Sequence, residues 1–176
     1  MSQPIQTQLL MRLSSLEDLT PPILPQGYTL RAYQESDKES LARTLNNSFP
    51  GMGWSGEMVG KQLAGDPTVT KIFVVVYEGE VIATASSRYL QDKHPGAGYL
   101  HWVGTDPAHQ GKRLGMIASY AALEEFRRDG YAQAVLNTDD FRKSAISIYL
   151  KMGFTPEFSD DSHSERWQKI LAQLGK

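Results

Sequence analysis

Along the chain the spacing of apolar and polar positions changes rhythm several times, and each change predicts an element. Residues 1–27 begin with an apolar-periodic stretch, Ile5 to Leu19, which Pro21, Pro22, Pro25 and Gly27 bring to an end. They read as an N-terminal extension, joined by a linker to one domain over 28–176. From Tyr28 the period of two predicts a strand over 28–33, and Asp37 caps a helix running to about residue 49. A second helix starts at Ser55 and is stopped by Gly65-Asp66-Pro67. The segments 71–77 and 81–90, joined by Glu78-Gly79-Glu80, read as a hairpin. The second half alternates strand and helix: strand 98–105, a turn at Asp106-Pro107, a long helix ending at Gly130, strand 132–138, helix 142–153, a short strand in "FTPEF", and a helical pattern over 164–175. The fold class is α/β in the broad, α+β sense.

Composition narrows the function classes. With 18 Lys and Arg against 20 Asp and Glu, the chain lacks the basic excess needed to neutralise nucleic-acid or anionic-membrane phosphates. The expectation is therefore no nucleic-acid and no membrane partner, and any anionic ligand must be held locally. No cysteine is present, which excludes a thiolate nucleophile, a disulfide framework and a cysteine-ligated zinc. Gln6, Gln8, Arg12, Glu17 and Asp18 interrupt the apolar N-terminal stretch, so it resembles neither an export signal nor a membrane span, and the expected location is cytoplasmic.

Two glycine-containing segments could cradle phosphates. Gly51-x-Gly53-x-x-Gly56 has the dinucleotide-fingerprint spacing but follows a helix, where that fingerprint must follow a strand, so it reads as a loop carrying Trp54 over a site. Gln110-Gly111-Lys112-Arg113-Leu114-Gly115 instead lies between a strand and a long helix. There, unpaired amides, extending to Met116, and the positive end of the helix dipole suit a pyrophosphate. The segment lacks the ending of a nucleotide-hydrolysing P-loop.

At this point a family resemblance becomes specific. "VGTDPAHQGKRLG" resembles the V-x-x-x-P-x-x-R/Q-G-x-G-x-G/A acetyl-CoA motif of the GNAT N-acetyltransferases, and "AISIYLKMGF" (145–154) resembles their A-x-x-x-Y-x-x-x-G-F segment. In element order the resemblance covers about 28–158. It implies a mixed, mostly antiparallel central sheet with helices on both faces, whose fourth strand splays from the fifth. It implies acetyl-CoA as co-substrate, held by Val103, Gly104 and Thr105 on the splayed strand and by the loop from Gln110 to Met116. Tyr149 matches the tyrosine that protonates the departing thiolate, which needs a phenol close to the sulfur. Three departures stand out. The motif's central glycine is Arg113, which strains the turn if that position needs positive φ. The family's asparagine is Arg142, which reads either as a cofactor-binding residue reaching a CoA phosphate or as a solvated residue of the first helical turn. A helix also replaces the last strand of many relatives.

The implied reaction is direct acetyl transfer to a primary amine of a small molecule or peptide; the alternative is an acetyl-CoA-binding sensor without catalysis. Tyr99, His101 and Val103 alternate along one strand, which predicts a shared face. His101, with an ordinary pKa of about 6.5, is the candidate base, and Glu57 a second one. Trp54, Glu57 and Tyr99 are expected at the acceptor wall, with Asp139, Asp140 and Glu57 able to attract a cationic amine. His94, His109 and His163 lack metal-ligand spacing, so no metal site is expected. The N-terminal extension reads as a tail or as a segment packing on a second copy in a homodimer.

Overall fold

A computed structural model describes residues 7–176. Seven strands form one sheet: β1 (Leu9–Leu13), β2 (Tyr28–Ala32), β3 (Val69–Tyr77), β4 (Glu80–Arg88), β5 (Ala97–Thr105), β6 (Gln133–Thr138) and β7 (Thr155–Glu157). Their spatial order is β2-β3-β4-β5-β6-β1-β7, and every pairing is antiparallel except β5 with β6. The helices are α1 (Lys38–Ser48), α2 (Gly56–Met58, continued by a π-helical stretch Val59–Ala64), α3 (Leu114–Arg128), α4 (Lys143–Lys151) and α5 (His163–Gln173). No described helix is long and apolar enough to cross a membrane.

The sheet separates two apolar layers. On one face Leu41 and Leu45 of α1 and Val59 and Leu63 after α2 pack on Ile72, Val74 and Val81. On the other, α3 lays Leu114, Ile117, Leu123 and Phe126 over Val75, Ala83, Ala85 and Leu100, and α4 and α5 add Ile146, Tyr149, Trp167 and Ile170. Val74 and Val75 enter opposite layers, as the two-residue period of a strand requires. The β3–β4 hairpin turns on Glu78 and Gly79, both at positive φ, the two-residue turn whose twist suits a hairpin. Gly98 lies directly beneath Phe126, where an added Cβ would come within 2.3 Å of the ring.

The N-terminal segment departs from its expectation. Leu9–Leu13 is an interior strand, paired with β6 on one side and β7 on the other, so the sheet recruits residues from before the boundary drawn at 27/28. Leu9, Met11 and Leu13 face the α3 layer, and Leu10 meets Ala97 and Val135 on the other face. A strand buried on both faces reads as a continuous apolar run without alternation, which the sequence alone does not separate from a helix turn. Arg12 ties the edge together, donating to Gln133 Oε1 at 3.0 Å and pairing with Glu157.

Candidate active site

β5 and β6 diverge. They pair only from Ala97–Gln133 to Tyr99–Val135, yet β5 continues to Thr105 and β6 to Thr138. The cause lies in β5, where Ser86 faces His101 but Thr84 faces Gly104, so one extra residue is accommodated at 102–103. Trp102 carries the bulge at φ 46°, in the left-handed region. Such a bulge bends the strand and swaps the faces of the residues beyond it. His101 and Trp102 therefore fall on the same side, their rings 5.4 Å apart, and Trp102 packs on Phe49 and Trp54. Leu100 and Val103 face the α3 layer. The shared face expected for Tyr99, His101 and Val103 is corrected accordingly: Val103 points away from the other two.

Two cavities meet in the gap. The first, about 430 Å³, is bordered by Val103, Gly104 and Thr105 of β5, by Gln110, Gly111, Arg113, Leu114 and Gly115 at the start of α3, and by Arg142, Ala145, Ile148 and Tyr149 around α4. Among the described residues, none accepts a hydrogen bond from the backbone amides of Gly111 through Met116, because they precede the first complete turn of α3. Gly111 and Arg113 are both at positive φ, at 82° and 60°. The position of the family's central glycine thus keeps its left-handed conformation in a residue whose Cβ disfavours it. Lys112 and Met116 do not border this cavity: Lys112 is exposed on the loop, and Met116 packs against the α3 layer. Gly115 lets α3 approach β5, since a Cβ there would lie 2.7 Å from Thr105 Oγ1.

The second cavity, about 250 Å³, lies toward β6 and is bordered by Tyr99, His101, Phe49, Met52 and Asp139, and by Gln8 just before β1. Trp54 and Glu57, expected at this wall, are elsewhere. Trp54 is buried edge-on against Trp102 and its backbone is clamped by both ends of the Asn46 amide, whereas Glu57 pairs with Lys61 at 2.6 Å on the solvent side. Of the expected acidic groups, Asp140 is engaged by Arg166, whose Nε donates to Oδ2 at 3.0 Å. Asp139 accepts from Gln8 and from Arg142. Asn47, Ser48 and His109, which also border the first cavity, carried no signal in the sequence: they are ordinary polar residues at a helix end and in a turn.

Val103, Arg142 and Tyr149 border both cavities. Tyr149 is 7% exposed, and its hydroxyl has no hydrogen-bond partner among the described residues. Burial pushes its phenol above the usual range while the charge of Arg142 works in the opposite direction. The net effect is a group that stays protonated at neutral pH. Burial and then the charge of Arg88 push His101 down to about 4, so its imidazole is neutral. Its Nε2 lies 3.4 Å from Arg88 Nη1, which can only donate, and its Nδ1 is buried without a partner among the described residues. That arrangement leaves the proton on Nδ1. Among the described residues no three His, Asp or Glu side chains are grouped as metal ligands.

Comparison with known proteins places this geometry. The family model described as "Acetyltransferase (GNAT) family" matches residues 31–154, from β2 to the glycine turn after α4. A mycothiol acetyltransferase of Segniliparus rotundus is 31% identical over 169 residues, covering 89% of this chain and 63% of that protein. One of Nocardia farcinica is 27% identical over 151 residues, covering 81% and 50%. The chain thus spans between half and two thirds of the length of these relatives. Among solved structures, a GCN5-related N-acetyltransferase from Kribbella flavida superposes with a TM-score of 0.62 at 20% identity, over 86% of this chain and 55% of that one. The ribosomal-protein-S18-alanine N-acetyltransferase of Escherichia coli does so with 0.61 at 18%, over 74% and 79%. The splayed parallel pair, the amide-lined turn into α3 and a family match spanning both make this chain a member of the GNAT acetyltransferase family.

Proposed function

We propose that the chain transfers an acetyl group from acetyl-CoA directly to a primary amine of a small molecule or peptide. One observation carries this reading: a buried, protonated tyrosine with a free hydroxyl stands where an amide-lined cavity meets a second, smaller one. The free amides from Gly111 to Met116, with the helix dipole behind them, suit the pyrophosphate. The unpaired end of β5 offers Val103, Gly104 and Thr105 to the pantetheine arm, and the second cavity receives the amine. Tyr149 then gives its proton to the departing thiolate. A phenol kept above its ordinary pKa is a weak acid, so the transfer depends on close placement rather than on acidity.

His101 is poorly set up to act as the base. A neutral imidazole with its lone pair toward Arg88 and a buried Nδ1 proton orients the second cavity more readily than it accepts a proton from an amine. Water leading to bulk solvent supplies the alternative route.

The test is thiol release from acetyl-CoA across a panel of amines that includes the acceptor of the mycothiol acetyltransferases, small primary amines and peptides with free N-termini. At least one amine should release CoA. Tyr149→Phe should bind CoA with unchanged affinity by calorimetry while kcat falls by about 10²-fold. Unchanged turnover in that variant removes Tyr149 from the chemistry. CoA binding without transfer to any amine points to the sensor reading.

A further inference from the structure

We propose that Arg142 is a catalytic residue of this acetyl transfer, its guanidinium end stabilising the negative charge that builds on the thioester carbonyl oxygen. The assignment rests on the acetyl-transfer reading and replaces the phosphate contact that the sequence suggested for this residue.

The turn that offers amides to the phosphates, from Gln110 to Gly115, borders only the first cavity, whereas Arg142 borders both, beside Tyr149. A donor anchored at the turn and an amine in the second cavity can react only where the two spaces meet, which is the wall that Arg142 and Tyr149 share.

The side chain of Arg142 is held by two rings and a carboxylate. Its guanidinium carbon lies 4.2 Å from the centre of the Phe49 ring and 5.5 Å from that of Phe141, and Nε donates to Asp139 Oδ2 at 3.3 Å. Aromatic faces and a carboxylate thus fix the plane of the group without using its outer nitrogens. Nη1 and Nη2 have no acceptor among the described residues. A guanidinium presenting fixed outer N–H donors beside a tyrosine hydroxyl is a preorganised partner for developing negative charge, and needs no reorganisation when that charge appears. The side chain is 24% exposed, and Asp139 is its ion-pair partner.

In the transfer itself, the amine lone pair forms a C–N bond to the thioester carbonyl carbon, and the C=O π pair moves onto oxygen, where Arg142 stabilises it. That pair then re-forms the C=O bond, the C–S bond breaks, and sulfur leaves with its electrons and takes the proton of Tyr149. The ammonium proton passes to solvent, which reprotonates Tyr149, leaving an amide and free CoA thiol.

The experiment separates this role from phosphate binding. Arg142→Gln and Arg142→Lys are assayed with acetyl-CoA and with S-acetylpantetheine, which lacks every phosphate, and CoA affinity is measured by calorimetry. Arg142→Gln should lower kcat by about 100-fold with both donors, leave CoA affinity within about threefold, and recover part of its activity on addition of free guanidinium. Arg142→Lys, which keeps a charge, should fall between Gln and wild type. A deficit that vanishes with S-acetylpantetheine, or a CoA affinity that drops in step with kcat, makes Arg142 a phosphate ligand and overturns the proposal. Wild-type protein that transfers acetyl to no amine overturns the underlying reading as well, and is distinguished because the deficit is then not confined to the variants.

Discussion

At the scale of single residues, Glu78, Trp102 and Arg113 stand in left-handed backbone that favours glycine, and the last two shape the gap. Trp102 takes up the extra residue of β5, and its ring is fixed by Phe49 and Trp54 on the α1 side, so neighbouring packing holds a conformation that the residue alone disfavours. Arg113 has no such support: it is exposed, and sits at φ 60° immediately before α3. Arg113→Gly should therefore stabilise the fold by about 1 kcal/mol in denaturant titrations. It should also weaken CoA binding modestly, by about threefold, because a partly screened charge beside the turn is lost while the amides remain. Unchanged or lower stability would mean that the side chain makes contacts outweighing the strain.

At the scale of elements, strands and helices from β2 onward lie within about two residues of where the hydrophobic rhythm puts them, because helical and strand periods are distinct along most of this stretch and Gly or Pro closes several of the elements. The turn into α3 is equally legible, being one contiguous stretch of sequence. The wall of the second cavity is not. Gln8, Phe49, Met52, His101 and Asp139 come from separate segments, and only the bulge at Trp102 and the placement of β1 bring them together. β1 itself was hidden because burial on both faces erases the period of two. Its contribution is measurable: Met11 is fully buried between β6 and β7, and Met11→Ala should cost about 3 kcal/mol, a core-sized loss. A tail would lose almost nothing, so a change below about 0.5 kcal/mol contradicts the placement of this strand.

At the scale of the whole molecule, the groups that titrate on the acid side all pull stability one way. The folded state holds His101 neutral down to about 4, whereas the unfolded chain protonates it near its ordinary value of about 6.5. The unfolded state thus binds the additional proton between those limits, and stability falls by up to about 3 kcal/mol as pH drops through that window. Asp37 beside Arg31 and Asp140 beside Arg166 are held below the usual carboxylate range, and their contributions are lost only at lower pH still. His101→Gln should flatten the decline between about pH 6.5 and 4 and leave the steeper loss below it, read from urea midpoints across that range. An unaltered slope would place the imidazole in solvent. The position of β1 also imposes an order on assembly. The hairpin, β5 and α3 are neighbours in sequence and can form one side of the gap from local contacts, whereas β1 must wait for β6 and β7, which come more than a hundred residues later. During synthesis the β5–α3 side of the gap can therefore form first, α4, following β6, adds the opposite side of the first cavity, and the second cavity closes only when β1 is captured between β6 and β7.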